Sequence, residues 1–227
     1  MPGAIITTTT TTEALRLLLT WLSPAFPTGG FAYSHGLEWA VEAGDVGNER
    51  SLSDWLHDVF LHGSPWSDAI LLRRAHAAQP DDLAALCDLG IALSFGSERR
   101  LETIAQGAAF TRAVTIWGGA RVTRLTSQHS PYPVAVGAAA ADQGIAADLA
   151  VAAYLQAVAA NLVSAGIRLI PLGQTAGLRV LAGLTPVLAE VTETSAAATL
   201  DDIGTACFRA DIATLRHETQ HTRLFRT

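Results

Sequence analysis

Apolar positions recur at helical spacing along nearly the whole chain. The clearest window is SLSDWLHDVFLHG, 51–63, where Leu52, Trp55, Leu56, Val59 and Phe60 fall at i, i+3, i+4, i+7 and i+8. Ser51 is placed to cap this helix, Asp54 sits in its first turn where a negative charge suits the dipole, and Gly63 stops it. Ser64 and Pro65 predict a second helix to about Ala78, with Pro at the first helical position where its missing N–H costs nothing. Pro80 and Asp81 reset the chain for another, to about Leu93. Ser97 opens the next, whose Leu101, Ile104, Ala105 and Ala108 form an apolar stripe opposite Glu98, Arg99 and Glu102. Past Gly118, Gly119 and the break at Pro131 and Pro133, helices are expected near 134–142 and 148–165. Another is expected over 173–183, extended past Pro186 toward Ala198, and a last one over 211–222. Further upstream, Ser34 is placed to cap a short helix running from Gly36 toward Gly44. No alternating runs flanked by hairpin dipeptides suggest strands, and no repeat period stands out. The expectation is an all-α, single-domain bundle of roughly ten helices over 13–227, preceded by a disordered Thr-rich tail over 1–12.

Composition narrows the function classes. The 227 residues are 49% apolar and 16% charged, a globular balance able to bury a sizeable core. A formal charge of −6 argues against nucleic-acid binding. All 15 basic residues are arginines, so chemistry that needs a lysine ammonium is excluded: no Walker A lysine and no Schiff base. Cys87 and Cys207 are far apart and outside any C-x-x-C pair, which fits a reducing compartment, and no basic segment precedes an apolar run at the start. A cytoplasmic location is expected. The Ala-rich segment 149–170 is long enough to cross a membrane, but Gln156, Asn161 and Arg168 interrupt it. A buried central helix is the expectation, with no membrane partner.

Three motifs invite catalytic readings. HETQH, 217–221, spells the H-E-x-x-H of zinc peptidases, in which two histidines one turn apart hold a metal beside a general-base glutamate. Such a site needs a third protein ligand and an open position for water, and TRLFRT, 222–227, offers no usual zinc ligand. AYSHG, 32–36, approaches the G-x-S-x-G nucleophile elbow, but two prolines and paired glycines precede it instead of a strand. PTGG, 27–30, lacks the G-K-[ST] of a phosphate loop and reads as a turn needing positive φ. Among the histidines only His217 and His221 are spaced to share a helical face. Two ligands make at best a weak, transient metal site, and no cofactor is expected.

Three blocks carry a family resemblance. SPAFPTGGFAYSHGLEWAVEAGDV, 23–46, resembles the opening signature of UreF-type urease accessory proteins, S-P-x-x-P-x-G-x-x-x-Y-S-x-G-L-E. RLIPLGQTAG, 168–177, and RADIATLRHETQHTRLFRT, 209–227, resemble two later family blocks, the last of the form H-E-x-Q-x-T-R-L-F-R. His221 stands where the family often carries an aromatic residue, so the zincin spelling is the by-product of one substitution. The resemblance implies an all-α, dimeric protein without catalytic activity, an accessory scaffold and chaperone component for nickel insertion. It implies binding to UreD (also called UreH), recruitment of the GTPase UreG with regulation of its GTP hydrolysis, and delivery of nickel to apo-urease. The matching positions for partner binding are Tyr33, Ser34 and Glu38, then Gln174, then Arg216, His217, Glu218, Gln220, Arg223, Leu224 and Phe225, with Gly36 and Leu37 in the first block. Guanidinium groups beside a Leu-Phe pair are hot-spot chemistry. Segment 216–225 is therefore expected to dock on the UreD-like partner and become ordered there, and removing 217–227 to leave the fold intact. The competing readings are an HExxH zinc-dependent hydrolase and an unrelated helical adaptor.

Overall fold

The computed structural model describes residues 10–125 and 129–227. Among the described residues there are twelve α-helices, four short 3-10 turns and no strand. In chain order the helices are α1 (Thr11–Trp21), α2 (Leu37–Glu42), α3 (Glu49–His62), α4 (Ser64–Ala77), α5 (Leu83–Ala92) and α6 (Gly96–Val114). They continue as α7 (Ala120–Arg124), α8 (Tyr132–Asp142), α9 (Ala147–Leu169), α10 (Gln174–Gly183), α11 (Thr185–Thr194) and α12 (Phe208–His217). The all-α expectation holds, and the additions have local causes. Of the tail expected over 1–12, residues 1–9 lie outside the described part. Thr10 caps α1: its hydroxyl accepts the Glu13 amide, and the Glu13 carboxylate accepts the Thr10 amide in return. Ala14, Leu18 and Trp21 then point inward at i, i+4 and i+7. The helix expected over 173–198 divides at Thr185, because Pro186 cannot donate to the preceding turn and starts α11 instead. The cap of α3 is Asn48 and not Ser51; Ser51 is the third helical residue and closes a reciprocal capping pair with it.

The core is built on α8 and α9. Every residue from Tyr132 to Ala140 in α8 is buried, so this helix is apolar all round and enclosed by neighbours, α4 and α6 foremost. Gly137 is what lets α4 approach: a Cβ there would overlap the Leu72 carbonyl oxygen. Among the described residues α9 is the one helix long and apolar enough to span a membrane, and half of its most apolar window is buried inside the bundle. Tyr154, Leu155, Ala159 and Leu162 pack there among α2, α3, α4, α8, α10 and α11. An aromatic cluster fills the end beside α1, with Trp21 edge-on to Phe110 at 6.1 Å and to Trp117 at 5.7 Å, and Tyr132 against Tyr154 at 5.4 Å.

One helix inverts the amphipathic rule. The apolar stripe of α6 should face the core, yet Glu98, Arg99, Glu102, Thr103 and Gln106 are the buried side, and Leu101 is 60% exposed. The charges are buried because partners reach them from the loop before α2, from α4, from α12 and from the C-terminal segment, as described below.

Gly137→Ala tests the α4–α8 contact. Helix propensity alone would favour alanine by about 1 kcal/mol. Overpacking against the Leu72 carbonyl is expected to outweigh it, for a net loss of about 2 kcal/mol in urea unfolding.

Candidate functional site

The first and last family-like blocks, nearly the whole chain apart in sequence, meet in space. The 23–36 loop carries two left-handed glycines, Gly29 at φ 73° and Gly36 at φ 74°. At Gly36 a Cβ would lie 2.6 Å from the Thr214 amide nitrogen of α12, so only glycine lets α12 seat on this turn. His35 beside it adopts φ 52°, at a cost on the order of 1 kcal/mol for a side chain with a Cβ. Its Nε2 lies 2.8 Å from Glu102 Oε1, which fixes the turn to α6. The Ser34 hydroxyl and amide both donate to the Thr227 carbonyl, at 2.5 and 2.6 Å, and the Arg226 amide donates to the Ala32 carbonyl at 2.8 Å. Ser34 is thus chiefly a clamp on the last residues. As a helix cap it receives only a long 3.4 Å bond from the Glu38 amide, and Gly36 holds the N-cap position of α2.

Glu38 is the centre of the joint. Its two oxygens accept the Leu224 amide at 2.6 Å and the Phe225 amide at 2.9 Å, and one lies 3.1 Å from His217 Nε2. His217 is fully buried, and its Nδ1 lies 2.7 Å from Glu98 Oε2. The other Glu98 oxygen accepts from Arg223 at 2.7 Å. Gln220 donates to Glu42. Phe225 is 4% exposed, with the Arg168 guanidinium 4.2 Å above its ring, and Arg168 also donates to the Phe31 carbonyl at 2.6 Å. Glu218 reaches the start of α6, where its carboxylate accepts the Ser97 amide at 2.6 Å and the Glu98 amide at 3.4 Å. It serves as that helix's missing N-cap.

Beneath the strap lies a second set of buried charges. Glu102 accepts from Gln106 at 2.7 Å and from the Thr227 hydroxyl at 3.2 Å, and Arg99 lies 3.5 Å from it. Arg99 donates to Asp68 at 2.6 Å, and the Tyr154 hydroxyl donates to the same oxygen at 2.7 Å. Burial acts to raise the Glu102 carboxyl, but His35, Arg99 and the hydrogen bonds from His35 and Thr227 outweigh it and hold it below its ordinary 4.5. At Glu218 burial likewise acts to raise the carboxyl, and hydrogen bonds from Ser97 and Glu98 outweigh it and leave it lowered. The Tyr33 hydroxyl moves the other way, raised by burial and by the nearby Glu102. Cavities of about 60 and 40 Å³ flank the Arg99–Asp68 pair, each room for a few waters.

This geometry corrects several readings. α12 ends at His217, so HETQH is not one helical turn: His217 is inside and His221 is exposed beyond the helix end. The two imidazoles do not share a face, and the intervening glutamate caps another helix, so no zincin arrangement forms. Phe225 packs on its own domain. Removing 217–227 would strip His217 and Phe225 from the interior and is no neutral deletion. Of the expected partner-binding residues, Tyr33, Ser34, Glu38, His217, Gln220 and Phe225 are buried in this joint, and Glu218 is half-buried. Arg216 and Leu224 face outward around it, while Arg223, though exposed, turns its guanidinium in to Glu98. Gln174, exposed in the first turn of α10, takes no part in the strap's hydrogen bonds. Asp68, Glu98, Arg99, Glu102 and Arg168 were not singled out from the sequence. The signal available was Glu98, Glu102 and Gln106 at i, i+4 and i+8, a polar row that reads equally well as a solvated face.

Two measurements follow from the joint. Glu38→Ala leaves two buried amides and an imidazole without their acceptor, so a loss of about 3 kcal/mol is expected, together with faster proteolytic trimming of the C-terminal strap. Carboxyls whose pKa is lowered on folding contribute stability above their unfolded value that is lost as pH falls through the folded one. The thermal midpoint should therefore hold level down to about pH 5 and drop below 4.5, with Glu102→Gln flattening the drop.

Comparison with known proteins adds the family. The family model described as UreF matches residues 46–185, more than half of the chain. The urease accessory protein UreF of Bradyrhizobium sp. (strain BTAi1 / ATCC BAA-1182) is 52% identical over 94% of this chain and 92% of its own length. Those of Rhodopseudomonas palustris (strain TIE-1) and Cereibacter sphaeroides (strain KD131 / KCTC 12085) are each 50% identical over 94% of this chain, covering 92% and 99% of their own. These alignments span nearly the whole chain and are far above the level at which family is in question; the chain belongs to the UreF family of urease accessory proteins.

Proposed function

We propose that this chain is a non-catalytic scaffold in urease maturation. It binds a UreD/UreH-like accessory protein, recruits a UreG-like GTPase and modulates its GTP hydrolysis, and so serves the delivery of nickel to apo-urease. It acts as a homodimer in the cytoplasm, a location in keeping with its two free cysteines. The observation that carries the reading is the way the C-terminal strap is held. Glu38 takes the backbone amides of Leu224 and Phe225, and Phe225 goes inward, which leaves Leu224 63% exposed. Beside the strap, α12 turns Phe208, Ile212 and Leu215 outward at i, i+4 and i+7, with Arg216 next to them. An exposed apolar row with a guanidinium at its edge, fixed on a rigid support, is the anatomy of a protein-docking face.

The partner-facing residues in this proposal are Arg216, Leu224, Phe208 and Ile212, while the buried family-like residues hold the face in position. The test is affinity for the UreD/UreH-like protein encoded with the same urease. Ile212→Ser with Leu224→Ser, and separately Arg216→Glu, should keep wild-type helical circular dichroism and weaken binding by roughly tenfold or more. Undiminished binding in both variants would reject the docking face.

A further inference from the structure

Helix α6 has a second surface that the strap does not use. Over its first half the buried side is polar, so the aliphatic residues there are turned away from the core, whereas Phe110 and Val114 further along point inward. Leu101 is 60% exposed, Ile104, Ala105 and Ala108 are half-buried, and Ile116, in the 3-10 turn that continues the helix, is 80% exposed. A soluble helix ordinarily does the opposite, and a contiguous apolar row directed outward marks a contact surface. The charges on this row are of one sign. Arg112 lies on the row one turn past Ala108, and Arg100 flanks its beginning. Both are exposed, and neither makes an ion pair or a side-chain hydrogen bond among the described residues.

That charge pattern selects the occupant. If a second copy lay antiparallel across the middle of the row, Arg112 would fall on the other copy's Ala105. A parallel pairing would set Arg112 against Arg112. Both arrangements bury a guanidinium without a counter-charge, which is costly. We infer that the outer row of α6, from Leu101 to Ile116, docks a second protein whose apolar ridge carries a carboxylate opposite Arg112. This goes beyond the proposed function, since it concerns a different face from that of α12, and rests on the scaffold reading only for the choice of natural probes.

Three probes decide it: the purified UreD/UreH-like protein, the purified UreG-like GTPase, and a designed amphipathic helical peptide with a leucine row flanked by glutamates. The variants are Arg112→Glu and the pair Leu101→Ser with Ile116→Ser, all at exposed positions, with unchanged thermal midpoints as the control for folding. Each variant should weaken one of the two proteins by roughly tenfold, with binding that also weakens as salt rises, and where that protein is the UreG-like GTPase, Ile212→Ser leaves its affinity unchanged. The glutamate-flanked peptide should bind the wild-type chain at least fivefold better than a lysine-flanked twin. Wild-type affinity of both variants for both proteins overturns the inference. So does conversion of a dimer to a monomer with partner affinities unchanged, which would make the row a homodimer seam. If the wild-type chain binds neither protein, the scaffold reading fails, and the peptide comparison alone decides: equal binding of the two peptides overturns the inference and glutamate preference sustains it.

Discussion

A carboxylate buried in a protein interior must be met by hydrogen-bond donors or cations, because its desolvation is otherwise too costly. Glu38 meets that demand with two backbone amides from the far end of the chain and the ring of His217. Backbone amides survive any side-chain change short of proline, so Glu38 fixes the register of the strap against α2 for every other residue at 224 and 225. The same logic runs through Glu98, which holds His217 and Arg223, and Glu102, which holds His35 and Thr227. The three carboxylates tie a loop, a helix end and a terminal strap together, and the placement of α12 follows from them.

The helices were largely legible because burial and periodicity agreed in them. α3 buries Leu52, Trp55, Leu56, Val59 and Phe60, the five positions its spacing indicates, and α9 is the enclosed central helix its small residues suggest. Where periodicity was weak, tertiary partners decided. α6 was misjudged for a physical reason: hydrophobicity patterns assume that polar groups prefer water, and that preference reverses when opposite charges from distant segments are delivered to the same face. Nothing within 97–114 announces that Arg223, His217 and His35 will arrive there.

The two end blocks stood out in the sequence, but their meeting in one joint, and the part taken in it by Asp68, Glu98, Arg99, Glu102 and Arg168, did not. Both end blocks looked like surfaces for other proteins, since Arg, Leu and Phe are hot-spot residues wherever they occur. In the structure much of that chemistry is spent internally. Ser34 grips Thr227, Phe225 lies under Arg168, and Glu218 caps α6. The H-E-x-x-H spelling dissolves for a related reason: a zincin needs the helix to continue through both histidines, whereas α12 stops at the first, which the carboxylates of Glu38 and Glu98 draw inward.

In the proposed function, the intramolecular joint and the docking face are two sides of one construction. By ordering the strap from beneath, the buried residues let Leu224, Arg216 and the outer row of α12 be presented without a further ordering cost at the moment of contact, which is the advantage of preorganisation. A buried residue such as Glu38 or His217 can then alter partner binding strongly while touching no partner. The distinction has a measurable form: a positioning residue lowers stability and affinity together, whereas a contact residue such as Leu224 changes affinity alone. Under that proposal, burial and not position in a motif assigns each family-like residue at the two ends of this chain to one side of that line.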